Sequence, residues 1–477
     1  MLFFHAYYFQ CRLARFSLLL TGLVTFIYLC FIYKPSPVIP LRLDDIVVVV
    51  LSQGDQYHAA KAEQLSHNIL QQAAFMNQKP PSIRIVHKEF PHRGAWTVVP
   101  LFPWLNKLHS CNSSWVFFAE EKTQMDLTEL INLVKGYDKK KAMWMGHGLI
   151  DEEGFSPHNA SPDHKATPLL KSKYPLFAAG FVMSTALIVK ISEIYEEMAV
   201  IRSNLSIDAS YELALLVDIP LVDLPDKFCI KNRNGCVSFP EKDFYCGDPI
   251  PKENIFFAVK TCAKFHQDRV PVVKSTWAKQ TVFIEFFSHV QDTEIPTTAV
   301  SVNNTKVGHC RKTFEILGLV NERIKKELPS IKWVMMADDD TLISVPGLQS
   351  LLSCWPDSGP IAIGERFGYN VQGSIQGYNF LAGGAGIVIS ASAIPHILKI
   401  CRCPNLSSTE DMYVGVCLTS LGIPLVHTPS FHQGRPIDYA LNYLATHRPV
   451  TFHKHKMINP LAVYNEWFSS SDNNTQL

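Results

Sequence analysis

Apolar and polar positions alternate along the chain in blocks that change period. Short, nearly all-apolar runs such as residues 47–51, 255–259 and 333–336 read as buried strands, and the stretches between them carry apolar residues at helical spacing. Strands alternating with helices predict an α/β protein with a largely parallel sheet, whose ligands gather at the carboxyl ends of the strands. One run differs in kind. Residues 16–33 (FSLLLTGLVTFIYLCFIY) are uncharged and mostly apolar, about long enough to cross a bilayer, with Arg12 and Arg15 before them and Lys34 and prolines after. Arginines on the N-terminal side predict a single-pass type II signal anchor, with the rest of the chain in the lumen. A cleaved signal peptide is the alternative, although no small-residue cleavage site is obvious after the run.

The pattern also repeats. SWVFFAEEKT, starting at Ser114, echoes KWVMMADDDT, starting at Lys332, and three further pairs follow in the same order. VVVVLSQGDQYHAAK near Val47 matches IFFAVKTCAKFHQDR near Ile255; YPLFAAGFVMS near Tyr174 matches YNFLAGGAGIVIS near Tyr378; IDASYELALLVDIPLV from Ile207 matches TEDMYVGVCLTSLGIPLV from Thr409. Chance resemblance between strand-turn-helix patterns explains one or two such matches better than four. The expected division is therefore a tail, anchor and stem at 1–45, a first α/β domain at 46–228, a cysteine-containing linker at 229–252, a second domain at 253–468 and a tail at 469–477.

Composition narrows the class. With 47% hydrophobic residues, 18% charged residues and a formal net charge of +1 over 477 residues, the chain is a folded protein with room for two cores and no signature of a nucleic-acid partner. Apart from Cys11 and Cys30, the cysteines form an even set from Cys111 to Cys417, expected mostly to pair in an oxidising lumen. Cys401 and Cys403 lack a second ligand pair at zinc-site spacing. Sequons at Asn112, Asn159, Asn204, Asn303, Asn405 and Asn473 agree with a lumenal location, each being a weak signal alone.

The chemistry concentrates in the second copy. Asp338, Asp339 and Asp340 follow an apolar strand, and like charges held this close call for a cation, most naturally a hard divalent one. A solvated loop or a helix cap is the plain alternative for a short acidic turn. If strand geometry persists, Asp338 and Asp340 point one way and Asp339 the other. Glu410 and Asp411 open a second acidic site, either as helix-capping charges or, for Asp411, as a general base on an acceptor hydroxyl. Gly383 and Gly384 permit a tight turn or the close approach of a sugar. His453 and Lys454 offer an imidazole and a cation, with His432 and His455 as competing imidazoles. Arg269, Lys274, Thr276 and Trp277 are candidates for nucleotide phosphate and base, or else an exposed basic helix face with one buried Trp.

These motifs resemble, jointly and in order, the Fringe-like and β-1,3-galactosyltransferase superfamily, glycosyltransferase family 31. The residues that carry the likeness are Lys274 to Trp277, Ala337 to Thr341, Gly383 to Gly386, and Glu410 with Asp411. Further stretches, including Gly364-Glu365-Arg366-Phe367-Gly368-Tyr369 and Phe452-His453-Lys454-His455, resemble the branch that adds β-1,3-glucose to O-linked fucose on thrombospondin type 1 repeats. The resemblance covers nearly everything after the anchor.

What it implies is a GT-A nucleotide-diphospho-sugar transferase fold in two tandem copies, the first degenerate, and an inverting transfer from UDP-glucose that depends on a manganese-type ion. Asp338, Asp340 and His453 are then metal ligands and Asp411, beside Glu410, the base. Arg269, Lys274, Asp338, Asp339, Glu365, Arg366, Gly383 and Gly384 bind the donor. Folded, O-fucosylated thrombospondin-repeat proteins are the implied partners, with other galactose or N-acetylglucosamine β-1,3-transferases, or a non-catalytic transferase-fold chaperone, as alternatives. Members end in a KDEL-like retrieval signal, whereas this chain ends Asn474-Thr475-Gln476-Leu477, so the anchor is expected to hold it in the endoplasmic reticulum membrane, with the Golgi as the alternative. In the first copy Glu120, Glu121 and Lys122 replace the aspartates and Ala209 aligns with Asp411, which predicts a silent domain that helps to recognise the acceptor protein.

Overall fold

The computed structural model describes residues 41–469, except 151–172, 198–204, 243–245, 306–307, 356–358, 370–376 and 406. The proposed anchor, the C-terminal tail and the sequons at Asn159, Asn204 and Asn473 lie outside the described residues. No helix among the described residues is long and apolar enough to cross a membrane.

The first sheet is built from β1 (Ile46–Leu51), β2 (Ser82–Ile85), β3 (Trp115–Glu120), β4 (Trp144–Gly146), β5 (Phe181–Ser184) and β6 (Val222–Asp223). Its order is β6-β4-β5-β3-β1-β2. The β-branched run of β1 is buried almost throughout, so both faces of the sheet are covered there, as the absence of polar alternation requires. Helix α1 (Gln56–Phe75) follows at once, its first turn capped by Asp55, whose carboxylate accepts from the His58 N–H.

The second sheet comprises β7 (Ile255–Lys260), β8 (Phe283–Ser288), β9 (Thr297–Ala299), β10 (Trp333–Asp338), β11 (Ala362–Gly364), β12 (Ile387–Ser390) and β13 (Leu425–His427), in the order β9-β8-β7-β10-β12-β11-β13. Apart from the added edge strand β9, order and direction match the first sheet strand for strand. Both are largely parallel, as expected, with one reversed strand each: β5 and β12 run antiparallel to each of their neighbours. The central register is also shared, Ile46 lying beside Trp115 and Leu51 beside Glu120, as Ile255 lies beside Trp333 and Lys260 beside Asp338. That register shifts the pairing by one residue from the sequence comparison, so Ile46, not Val47, is the counterpart of Ile255.

The two turns agree in detail. Thr123 Oγ1 accepts from the Glu120 N–H at 3.0 Å and donates to the Ala178 carbonyl at 3.0 Å; Thr341 Oγ1 accepts from Asp338 at 3.2 Å and donates to Gly384 at 2.9 Å. The segment between the sheets is fastened at both ends. Cys229 pairs with Cys236 within it and Cys246 with Cys354 beyond it, while residues 238–240 form a small ladder with residues 123–125. Cys310–Cys403 and Cys401–Cys417 complete the disulfides seen, with Cys111 and Cys262 as thiols.

The described residues from 43 to 469 belong to one compact unit. Gln53 clasps the β13 backbone at His427, donating to its carbonyl at 2.9 Å and accepting from its N–H at 2.8 Å. Trp355 donates to Asp55 at 2.9 Å, and Trp96 to Asn379 at 3.1 Å.

Candidate active site

Strand β10 delivers Asp338 at its carboxyl end, and the turn into residues 341–343 presents Asp339 and Asp340. The last strand, residues 451–453, pairs antiparallel with 341–343 and sets His453 opposite Thr341. Asp338, Asp340 and His453 converge, each offering a ligand atom within 4.8 Å of the others. Asp339 points elsewhere, its carboxylate accepting from Thr261 Oγ1 at 2.7 Å and from Arg269 at 2.9 Å. Its contacts brace the turn; it stands outside the converging set despite its expected part in holding the donor.

His453 is oriented from behind. Its Nδ1–H donates to the Gln433 carbonyl at 3.1 Å, which leaves Nε2 facing Asp340 at 3.3 Å and Asp338 at 3.8 Å. A bare nitrogen lone pair cannot rest against two carboxylates, so either a proton or a metal ion belongs between them. Two carboxylates and an imidazole suit a divalent ion of the manganese type. Among the described residues, Asp338, Asp339, Asp340 and Glu410 form ion pairs with two permanent cations, Lys260 and Arg269, and the charge of Lys312 also reaches Asp338 and Asp339. The other two imidazoles are elsewhere. His432 is fully buried, donates from Nδ1 to the Thr451 carbonyl at 2.9 Å and stacks on Phe452, and burial pulls its pKa down to about 4. His455 stays outside the set.

Helix α3 (Arg269–Ser275) and the turn after it revise the expectation for the nucleotide contacts. Arg269 spans Asp339 and Asp340, each at 2.9 Å, with its guanidinium 3.7 Å from the Phe265 ring centroid. Lys274 lies exposed on that helix. Thr276 is buried and bonded to the Val272 carbonyl, while Trp277 is wholly buried and donates to the Thr341 carbonyl at 3.0 Å. The indole props the acidic turn from the core instead of offering a face to a base.

The glycines make room for protein groups. A Cβ at Gly384 would lie 2.3 Å from His453 Cε1, and one at Gly383 would lie 2.8 Å from Glu410 Oε1. Space read from sequence as room for a sugar is taken up by the imidazole and the carboxylate. Glu365 and Arg366, expected at the donor, are engaged by protein groups. Glu365 accepts the Gln433 N–H, and Arg366 turns to the first sheet, bonding Gln53 at 3.3 Å and lying 4.8 Å from the Trp96 ring.

Helix α5 (Glu410–Ser420) separates two adjacent carboxylates. Helix α4 (Cys310–Lys326) presents Thr313, which donates to Glu410 Oε2 at 2.6 Å, while the other oxygen of Glu410 is taken by Lys260. Burial works against that charge, but Lys260 and the hydrogen bonds overcome it and hold the Glu410 pKa low. Among the described residues no ion pair forms at Asp411, where Lys260 is the smallest of the influences. Burial and the neighbouring Glu410 charge push its pKa up to about 6, against hydrogen bonds from the Met412 and Gly383 amides. A half-buried carboxylate poised near 6 is a competent general base at neutral pH, whereas Glu410 is fixed in an ion pair. Lys260 falls in Val259-Lys260-Thr261-Cys262, a stretch that shares the family resemblance, but the sequence assigned it no role. Its one signal was a charge ending an otherwise apolar strand, and the sheet register then sets it beside Asp338.

Comparison with known proteins gives one consistent result. A family model described as Fringe-like matches residues 250–477, the part that contains the second sheet and the acidic turn. The beta-1,3-glucosyltransferase of Mus musculus is 40% identical over 439 residues, covering 91% of this chain and 88% of its own. The Homo sapiens protein of the same name is 39% identical over 91% of this chain and 86% of its own. The beta-1,3-N-acetylglucosaminyltransferase lunatic fringe of Gallus gallus is 27% identical over 43% of this chain and 62% of its own.

Proposed function

Since the chain belongs to the Fringe-like family, with beta-1,3-glucosyltransferases among its full-length relatives, we propose that it transfers glucose in β-1,3 linkage from UDP-glucose to O-linked fucose on folded thrombospondin type 1 repeats. Asp338, Asp340 and His453 would hold a manganese-type ion, which when bound supplies charge stabilisation for a departing nucleoside diphosphate. Lys260 and Arg269 keep the acidic turn closed on that site. Asp411 takes the proton of the attacking hydroxyl, and one in-line displacement inverts the sugar carbon without an enzyme nucleophile. The convergence of two carboxylates and an imidazole whose second nitrogen is already spent on a carbonyl carries the reading.

The matching strand orders and the twin threonine-braced turns support two tandem GT-A-like halves, the first degenerate. Leu51 stands where the second half has Lys260, Glu120 where it has Asp338, and Ala209 where it has Asp411. Asp208, the nearest carboxylate, caps helix α2 (Ala209–Val217) by accepting from Ser210 and Tyr211. We read this half as silent in transfer and as part of the acceptor-recognising body. Residence in the endoplasmic reticulum membrane through the N-terminal run, with the Golgi as alternative, completes the proposal.

The deciding experiment offers the full chain a panel of UDP-sugars with a fucosylated thrombospondin repeat, with manganese and with EDTA. Manganese-dependent glucose transfer that is lost in Asp411→Asn is the expected result. Preference for UDP-galactose or UDP-N-acetylglucosamine would overturn the donor, and absence of both turnover and metal-dependent UDP binding would favour a chaperone.

A further inference from the structure

A cavity of about 470 Å³ opens at the carboxyl ends of β1 and β3, the place in the first sheet that the acidic turn occupies in the second. Glu120, Glu121 and Lys122 line it from the first half; Glu365, Arg366 and Tyr443 close it from the second. None of Asp338, Asp340 and Asp411 reaches it. Its volume falls within the range of small-molecule sites, about 300–1,000 Å³.

The lining argues against a nucleotide. Carboxylates outnumber cations along the wall, and the one three-residue metal-type cluster among the described residues is Asp338, Asp340 and His453, so nothing here bridges a diphosphate. The groups suit neutral hydroxyls instead. Arg366 places its guanidinium 4.8 Å from the Trp96 ring, and its Nε is buried without a hydrogen-bond partner. A buried donor left unpaired is destabilising, and a ligand oxygen would recover that loss. Glu120 and Glu365 come from opposite halves, and burial lifts their pKa values to about 7 and about 8, with the Glu121 charge adding to the first, so each is able to donate as well as accept near neutrality. Phe90, Trp96 and Phe177 add the apolar ring surface against which the C–H face of a pyranose packs.

We propose that this cavity is a second, metal-independent binding site for an uncharged saccharide of one or two pyranose rings, distinct from the transfer site. It uses the vacated donor position of the first half and borrows Glu365 and Arg366 from the second. The proposal does not depend on which sugar the second half transfers.

Ligand-observed saturation-transfer NMR on the full chain in EDTA, with cellobiose and methyl β-D-glucopyranoside as probes, tests it. The expected result is transfer to cellobiose that persists in Asp338→Asn and Asp411→Asn, is not displaced by UDP, and falls at least tenfold in Arg366→Met. Gly54→Leu adds bulk on the cavity wall, where a Cβ meets nothing nearer than His87 at 3.9 Å. It is expected to give the same loss, and it decides the matter should Arg366→Met not fold. No transfer to either probe, or transfer that follows Asp338 and Asp411 or is displaced by UDP, or is undiminished in folded Arg366→Met and Gly54→Leu, would overturn the proposal. The glucose-transfer assay on the same preparations reports separately on the second half.

Discussion

Replacing Gly384 by alanine tests the metal site without touching a ligand. The added methyl would sit 2.3 Å from His453 Cε1 and 2.6 Å from its Nε2, whereas ordinary contact begins near 3.4 Å. The imidazole must therefore retreat by about 1 Å, and it has little freedom to do so. Its Nδ1–H is bound to the Gln433 carbonyl, and its backbone lies in the ladder opposite Thr341, whose hydroxyl is itself bonded to the Gly384 carbonyl. Overpacking of this kind costs about 1–3 kcal/mol. Displacing the imaginary line from Nε2 to the carboxylates should weaken manganese binding by about 10–100-fold, the usual effect of disturbing a ligand's supports. The assay is manganese-dependent glucose transfer with a parallel calorimetric titration of the ion, and excess manganese should restore part of the rate. Gly318→Ala is the control, since a Cβ there, inside helix α4, meets nothing within 4 Å. It should gain up to about 1 kcal/mol of stability and leave metal affinity alone. A folded Gly384→Ala protein with wild-type manganese affinity and rate would refute the assignment of His453 to the ion.

Asp411→Asn should lower glucose transfer at least about 100-fold, in line with the removal of a general base, with its melting curve little changed. Because the Asp411 pKa is raised to about 6, the wild-type rate should fall about tenfold per unit as pH drops below that value and level off above it; a rate flat down to pH 5 would reject Asp411 as the titrating base. Lys260→Met removes the shared partner of Asp338 and Glu410, whose side chains are 30% and 14% exposed against 9% for Lys260. Urea unfolding should show a loss approaching the 3–5 kcal/mol typical of a broken buried pair, and a loss under about 1 kcal/mol would show that the pair is dispensable. Converting both Cys246 and Cys354 to serine opens a crosslink spanning 108 positions, worth up to about 4.7 kcal/mol by loop closure, and an unchanged denaturation midpoint would contradict that role.

Much of the site was legible because its signals are local. Three aspartates after an apolar strand, a histidine before a lysine, and an acidic pair opening a helix are visible in single windows of sequence. The contacts that arrange them are not. Lys260 reaches Glu410 across 150 positions, Thr261 reaches Asp339 across 78, and Gln433 supports His453 through a backbone carbonyl that carries no side-chain signature. Trp277 was ambiguous for a related reason. An indole beside basic residues suggests either base stacking or one buried Trp, and the fold takes the second course, turning it inward to hold the Thr341 carbonyl. The one reversed strand in each largely parallel sheet was likewise hidden, since β5 and β12 are as apolar as the strands beside them and burial on both faces erases the alternation that separates the two kinds of pairing.

The clearest case of information carried only by the fold is the division of labour between Glu410 and Asp411. They are neighbours with the same charge and nearly the same intrinsic pKa, and either one is a plausible base or a plausible helix cap. Folding sends Glu410 to Lys260 and Thr313, where its carboxylate is held ionised in an ion pair and its lone pairs are occupied. Because that charge is retained, it raises the pKa of the residue beside it, so fixing one carboxylate as structure is part of what tunes the other for chemistry. Glu410→Gln should accordingly lower the pH at which the rate falls, as the like charge beside Asp411 disappears, while Thr313→Val, which leaves that charge in place, should move it little. Identical downward shifts in both variants would mean that the Glu410 hydrogen bonds, not its charge, set the Asp411 pKa.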